Sequence, residues 1–127
     1  MRIICISKDE MLVPILGKVQ LPEDSLISVY SESTDPLDIM SAVCSMNPSI
    51  LIVDDDFLKP NTAHVLKSIR KVNEKVDVIF ITSDSSVELG KQIMQLGIKL
   101  YSVKPIDEQE ISESLKSIVK LKLKSIY

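Results

Sequence analysis

Five short runs of consecutive, largely β-branched apolar residues punctuate the chain, at positions 3–6, 26–30, 50–53, 76–81 and 100–103. A strand with one wet face alternates apolar and polar positions; these runs do not. Continuous apolar runs suit strands buried on both faces, as in a parallel sheet sandwiched between helices. Longer segments with helical signals lie between them. Asp35-Pro36 reads as a cap followed by proline at the first helical position, with Leu37, Met40 and Cys44 near one face. Asn47-Pro48 closes that helix. After a polar loop ending near Asn61-Thr62, Val65, Leu66 and Ile69 recur at helical spacing. Residues 85–96 contain Gly90 and carry the weakest pattern, so the least stable helix is expected there. The last segment is the strongest, with Asp107 as cap, Glu110 as its box partner, and a stripe of Ile111, Leu115, Ile118 and Val119. Pro14 is comfortable only in a first turn, so the first helix begins late, near Leu12 or Val13.

Strand and helix alternating five times predict an α/β protein. The expected form is a doubly wound, five-stranded parallel sheet in the order 2-1-3-4-5 with five helices. A chain of 127 residues suits one domain spanning 1–127. Apolar content of 45% and charged content of 26% are ordinary for a globular protein, and the absence of Trp calls for an aliphatic core. A net charge of -3, with the signs interspersed, argues against nucleic acid as a partner. Cys5 and Cys44 show no metal-ligand spacing and read as small buried hydrophobes in a reducing compartment. No apolar run approaches membrane-spanning length, and residues 1–6 read as a strand rather than a signal peptide. A cytoplasmic location without membrane contact is expected.

In doubly wound sheets the functional site lies beyond the carboxyl ends of the strands. The residues there are Ser7-Lys8-Asp9-Glu10, Asp54-Asp55-Asp56, Thr82-Ser83-Asp84 and Lys104-Pro105. Carboxylates, a hydroxyl and an ammonium thus converge on one rim. That set suits a phosphoryl or metal site, and it equally suits an ordinary polar rim.

Three stretches carry a family resemblance. Residues 48–54, Pro-Ser-Ile-Leu-Ile-Val-Asp, resemble the third strand of response-regulator receiver domains (CheY-like), whose last Asp accepts a phosphoryl group. Residues 79–83, Ile-Phe-Ile-Thr-Ser, resemble the fourth strand with its switch hydroxyl. Residues 97–105, Gly-Ile-Lys-Leu-Tyr-Ser-Val-Lys-Pro, resemble the fifth-strand signature. The resemblance runs nearly end to end. It implies a flavodoxin-like fold, a phosphoacceptor at Asp54, a phosphoryl-binding hydroxyl at Thr82, a cation at Lys104 before a cis proline, and a switch aromatic at Tyr101. It implies a histidine kinase or phosphotransfer protein as donor. It also implies a downstream protein bound through the fourth helix, fifth strand and fifth helix. The chain would then be a signalling module, not an enzyme, either standing alone or as a fragment of a longer protein.

The departures are as informative. The family places two acids after the first strand to hold Mg²⁺; the ungapped reading puts Ser7 and Lys8 there. A lysine would bring its own charge close to Asp54 and disfavour a dication. A second reading slips the loop by two residues, which preserves strand facing, and offers Asp9 and Glu10, with Asp54 and the Asp56 carbonyl, as the metal ligands. Leu58 stands where the family often has Pro, and Thr62 where it often has Gly. Plainer readings stand beside these. Asp55 and Asp56 read as exposed loop acids, His64 as a surface helical residue, Tyr101 as a half-buried aromatic, and Lys116, Lys120, Lys122 and Lys124 as a solvated face. Two functions follow: a phosphorylatable receiver, or a pseudo-receiver that binds partners without phosphorylation. No Gly-rich phosphate loop follows the first strand to support a metabolic enzyme.

Overall fold

Alternate facing along each strand splits the apolar runs into two cores. On β1 (Arg2–Ile6), Ile3 and Cys5 pack to one side and Ile4 and Ile6 to the other. The computed structural model describes residues 1–126. It places β1, β2 (Leu26–Tyr30), β3 (Ile50–Asp54), β4 (Asp77–Thr82) and β5 (Ile98–Val103) in one parallel sheet, ordered β2-β1-β3-β4-β5. On one face α1 (Leu12–Lys18) and α6 (Glu108–Ile126) bury Leu12, Leu16, Ile111 and Leu115 against Ile3, Ile50, Ile52, Ile79 and Ile81. On the other, α2 (Pro36–Met46), α4 (Thr62–Val72) and α5 (Val87–Met94) bury Ile39, Val43, Val65, Leu66, Ile69 and Ile93 against Ile4, Leu51, Val53, Val78 and Phe80. Each such side chain taken fully from water contributes roughly 1.5–3 kcal/mol. The core is aliphatic except for Phe80, as the composition requires.

The sheet order is the expected one, and four local features differ from the sequence reading. A one-turn helix, α3 (Asp55–Leu58), follows β3 directly, so the described residues form six helices rather than five. Asp54 starts it, since its carboxylate accepts from the Asp56 amide at 3.1 Å. In α2 the buried pair is Ile39 and Val43, four apart, whereas Leu37 and Cys44 are exposed. Packing against α4 selects that pair over the stripe of Leu37, Met40 and Cys44. Strand β2 is an edge, and Leu26 and Val29 are exposed on it. Three helix signals hold. Leu12 opens α1, Asp35 caps α2 by accepting from the Leu37 amide, and Asp107 accepts from the Glu110 amide at 3.1 Å. Lys122 leaves the solvated face assigned to it and reaches Asp77 at 3.3 Å.

One side chain braces the end of the sheet opposite the candidate site. Arg70 of α4 donates to the carbonyls of Leu96 and Gly97 at 3.0 and 2.7 Å and to that of Val76. It thereby ties the turn before β5 to the start of β4. Gly97 turns the chain there with φ at +75°, a value that only glycine adopts without cost.

Candidate functional site

Asp54 ends β3 in register with Ile81 and is only 2% exposed. It keeps the facing of Ile50 and Ile52, so its carboxylate meets Ser7, which follows the facing of Ile3 and Cys5 beyond the end of β1. The Ser7 hydroxyl donates to Asp54 Oδ2 at 2.6 Å and accepts from the Asp9 amide at 2.9 Å. The Lys104 amide donates to the Thr82 carbonyl at 2.7 Å at the end of β5, and its peptide bond to Pro105 is cis. The Lys104 ammonium stands 3.2 Å from both Asp54 oxygens, 2.7 Å from Asp9 Oδ2 and 3.0 Å from Asp56 Oδ2.

One ammonium among three carboxylates sets the electrostatics. Burial disfavours the charged Lys104, but hydrogen bonds to Asp9 and Asp56 and the charge of Asp54 outweigh it and raise its pKa. The hydrogen bond from Lys104 holds the Asp9 carboxyl below the usual range. Burial pushes Asp56 up, and the Ser83 hydroxyl and Lys104 more than reverse it. Cys5, beneath this cluster, is pushed up to about 12 by burial and by the charges of Asp54 and Asp9. It is a buried thiol with no nucleophilic character.

A second network lies on the opposite face of the strand ends. Thr82 follows the facing of Val78 and Phe80, and its hydroxyl donates to Asp55 Oδ2 at 2.8 Å. Thr62, at the start of α4, donates to Asp55 Oδ1 at 2.6 Å. The Asp84 amide donates to Thr82 Oγ1 at 3.0 Å. Asp55 is 4% exposed and Thr82 is fully buried. Tyr101 stacks on Phe80 with centroids 5.1 Å apart, and its hydroxyl is buried beside Gly90 without a hydrogen-bond partner among the described residues. Burial, then the charges of Asp84 and Asp55, raise the Tyr101 pKa.

The rim therefore gathers Ser7, Asp9, Asp54, Asp56 and Lys104 into one cluster, while Thr82 faces Asp55. Two expectations are corrected. Lys8 does not pair with Asp54: strand alternation turns it outward, and its ammonium lies over the Phe57 ring, 5.7 Å from the centroid. Nor are Asp55 and Asp56 exposed loop acids: the turn of α3 directs Asp55 under Thr62 and Thr82, and Asp56 is half-buried against Lys104 and Ser83. Of the slipped pair, Asp9 reaches the site through Lys104, whereas Glu10 is exposed in the turn before α1. His64 is exposed, as expected. Asp55 and Thr62 were not recognised as partners. The available signal was an acid beside the strand-ending Asp54, with a threonine in place of the usual glycine seven residues on.

Acids of the kind that hold Mg²⁺ stand at this rim, yet they are arranged around an ammonium. Asp9, Asp54 and Asp56 share Lys104, and Ser7 offers only a neutral hydroxyl. Among the described residues no group of three or more His, Cys, Asp or Glu is disposed to hold a metal ion. As they stand, these residues fit a monovalent cation on a side chain and do not fit a dication.

A family profile described as "Response regulator receiver domain" matches residues 4–116. The chain is 28% identical over 94 residues to the chemotaxis protein CheY of Treponema pallidum, covering 72% of this chain and 65% of that protein. It is 31% identical over 72 residues to the uncharacterized transcriptional regulatory protein YesN of Bacillus subtilis, covering 57% of this chain but 20% of that one. The match thus spans less than two thirds of either relative. In three dimensions it resembles a receiver domain protein (CheY-like) from Methanospirillum hungatei, with a TM-score of 0.77, 14% identity, and coverage of 98% and 97% of the two chains. With the strand order, the Asp54–Lys104 pair and the matching profile in agreement, this chain belongs to the response regulator receiver domain family of two-component systems.

Proposed function

We propose that this receiver domain accepts a phosphoryl group on Asp54 and regulates a partner protein by binding it. One observation carries the reading: a buried carboxylate at the end of β3 has an ammonium 3.2 Å from each of its oxygens. Attack by an anion on an anionic phosphoryl group needs compensating positive charge, and Lys104 supplies it. One Asp54 oxygen attacks phosphorus. The bond from phosphorus to the donor breaks, and imidazole leaves from the phosphohistidine of a kinase or phosphotransfer protein, or acetate from acetyl phosphate. Asp54 becomes an acyl phosphate. Mg²⁺ binds weakly, because Lys104 already occupies the space between the acids and Ser7 adds no charge. The partner docks on the face of α5, β5 and α6, where Val87, Met94 and Val103 are exposed among Lys91 and Lys99. Neither nucleic acid nor membrane is part of this reading.

A second reading, a pseudo-receiver that binds partners without phosphorylation, is favoured by the Thr82 hydroxyl, which is directed to Asp55 rather than Asp54. One experiment separates them. The chain and an Asp54→Asn variant are incubated with acetyl phosphate over a range of Mg²⁺ concentrations and weighed intact. The first reading expects one phosphoryl group on the wild type and none on the variant. A wild type that stays unmodified at every Mg²⁺ concentration supports the second.

A further inference from the structure

We infer that Asp55 is a positioning residue that withholds the Thr82 hydroxyl from Asp54; the inference rests on Asp54 being the phosphoacceptor. A threonine hydroxyl has one hydrogen to give. That of Thr82 goes to Asp55 Oδ2 at 2.8 Å, and its oxygen accepts from the Asp84 amide at 3.0 Å. Its one hydrogen is thus committed to Asp55, one of its two lone pairs is taken by the Asp84 amide, and burial shuts it from water, which could otherwise take the place of either partner. Asp55 is equally committed. Thr62 holds its second oxygen at 2.6 Å, and the Asp55 carbonyl accepts from the Lys59 amide at 2.7 Å, so both ends of the residue are pinned. No ion pair to Asp55 is found among the described residues, so the two threonines are the groups that satisfy this buried carboxylate.

A phosphoryl group on Asp54 therefore arrives at a site whose candidate switch hydroxyl, that of Thr82, is engaged with Asp55. Thr82 can donate to a phosphoryl oxygen only by leaving Asp55 half satisfied in a place water does not reach. Bonds to charged acceptors of this kind correspond to about ten- to a hundred-fold in an equilibrium. The Asp55 charge also repels the incoming phosphoryl oxygens. Asp55 and Thr62 act together: the acid takes the hydrogen, and the second threonine keeps the acid in place.

The test removes the acceptor and its clamp together, because replacing both partners of a buried bond with apolar groups leaves few unpaired atoms. Wild type, the Asp55→Leu/Thr62→Val double variant, and that variant with Thr82→Val added are compared. Acyl phosphate is followed by intact mass with acetyl phosphate at one fixed Mg²⁺ concentration, and folding by circular dichroism. The double variant is expected to form acyl phosphate at least tenfold faster than wild type, and adding Thr82→Val is expected to abolish the gain. A double variant no faster than a wild type that does react overturns the inference, as does a gain that survives loss of the Thr82 hydroxyl. If none of the folded chains ever carries a phosphoryl group, the phosphoacceptor reading falls, and the inference with it. A measurement on the wild type alone guards against misfolded variants. The Thr82 hydroxyl proton should exchange slowly with water and show a nuclear Overhauser contact to the Asp55 β-protons; free exchange overturns the proposal.

Discussion

Replacing Lys104 with Met takes one ammonium away from three carboxylates and keeps most of the aliphatic stem. The wild-type distances from the ammonium are 2.7 Å to Asp9, 3.0 Å to Asp56 and 3.2 Å to both oxygens of Asp54. At these separations each pair interacts by several kcal/mol at a protein rim before desolvation is subtracted. Removing one partner of a buried pair costs about 3–5 kcal/mol, chiefly by stranding the other charge. Here Asp54 is buried but Lys104 and Asp9 each retain 18% exposure, so water screens part of the loss, and about 2–3 kcal/mol is expected. A domain stable by about 5–15 kcal/mol tolerates that and stays folded. Urea denaturation at pH 7 of wild type, Lys104→Met, Asp9→Asn and the double variant measures it. Asp9→Asn alone should destabilise by about 1 kcal/mol, since it removes the shortest contact. In the Lys104→Met background the same change should be neutral or stabilising, because the Asp9 charge then repels Asp54 and Asp56, while an asparagine carbonyl can still accept from the Met11 amide. Equal costs for Asp9→Asn in the two backgrounds would refute a shared ammonium.

Three further outcomes are expected. Asp9 and Asp56 have lowered pKa values, so their contribution to stability is complete above the unfolded carboxylate value of about 4 and is lost as pH falls through the lower folded values. Urea midpoints should drop across that acid window and drop less in Lys104→Met; identical acid limbs would count against the cluster. Ser7→Asp places a second carboxylate where the hydroxyl now stands 2.6 Å from Asp54, and should raise Mg²⁺ affinity several-fold by calorimetric titration, with an unchanged affinity as the contrary result. Gly97→Ala forces a side chain onto a φ of +75° with its Cβ 3.5 Å from the Arg70 guanidinium, and should destabilise by about 1–2 kcal/mol in thermal melts; an unchanged melting temperature would contradict the strain.

Much of the fold is written in periodicity. Continuous apolar runs predict strands covered on both faces, as β1, β3 and β4 are, and right-handed crossovers between them predict a doubly wound parallel sheet; the observed β2-β1-β3-β4-β5 order is one of the orders that satisfy both. The caps at Asp35 and Asp107 and the late start of α1 before Pro14 were legible because capping is local chemistry. The convergence of Asp54, Thr82 and Lys104 on one rim was legible because each directly ends a strand. Partnership within the rim was not, because it depends on side-chain facing across separate strands. Lys8 and Asp9 are adjacent in sequence, yet one lies over Phe57 and the other binds Lys104. Asp54 and Asp55 are adjacent too, and α3 sends them to opposite faces of the sheet, one to Ser7 and Lys104, the other to Thr62 and Thr82. The sequence alone determined which residues reach the rim, since strand ends are set by local apolar pattern. Only the tertiary structure decided which of them meet, since a hydroxyl or an ammonium pairs with whichever acceptor the packed helices bring within about 3 Å.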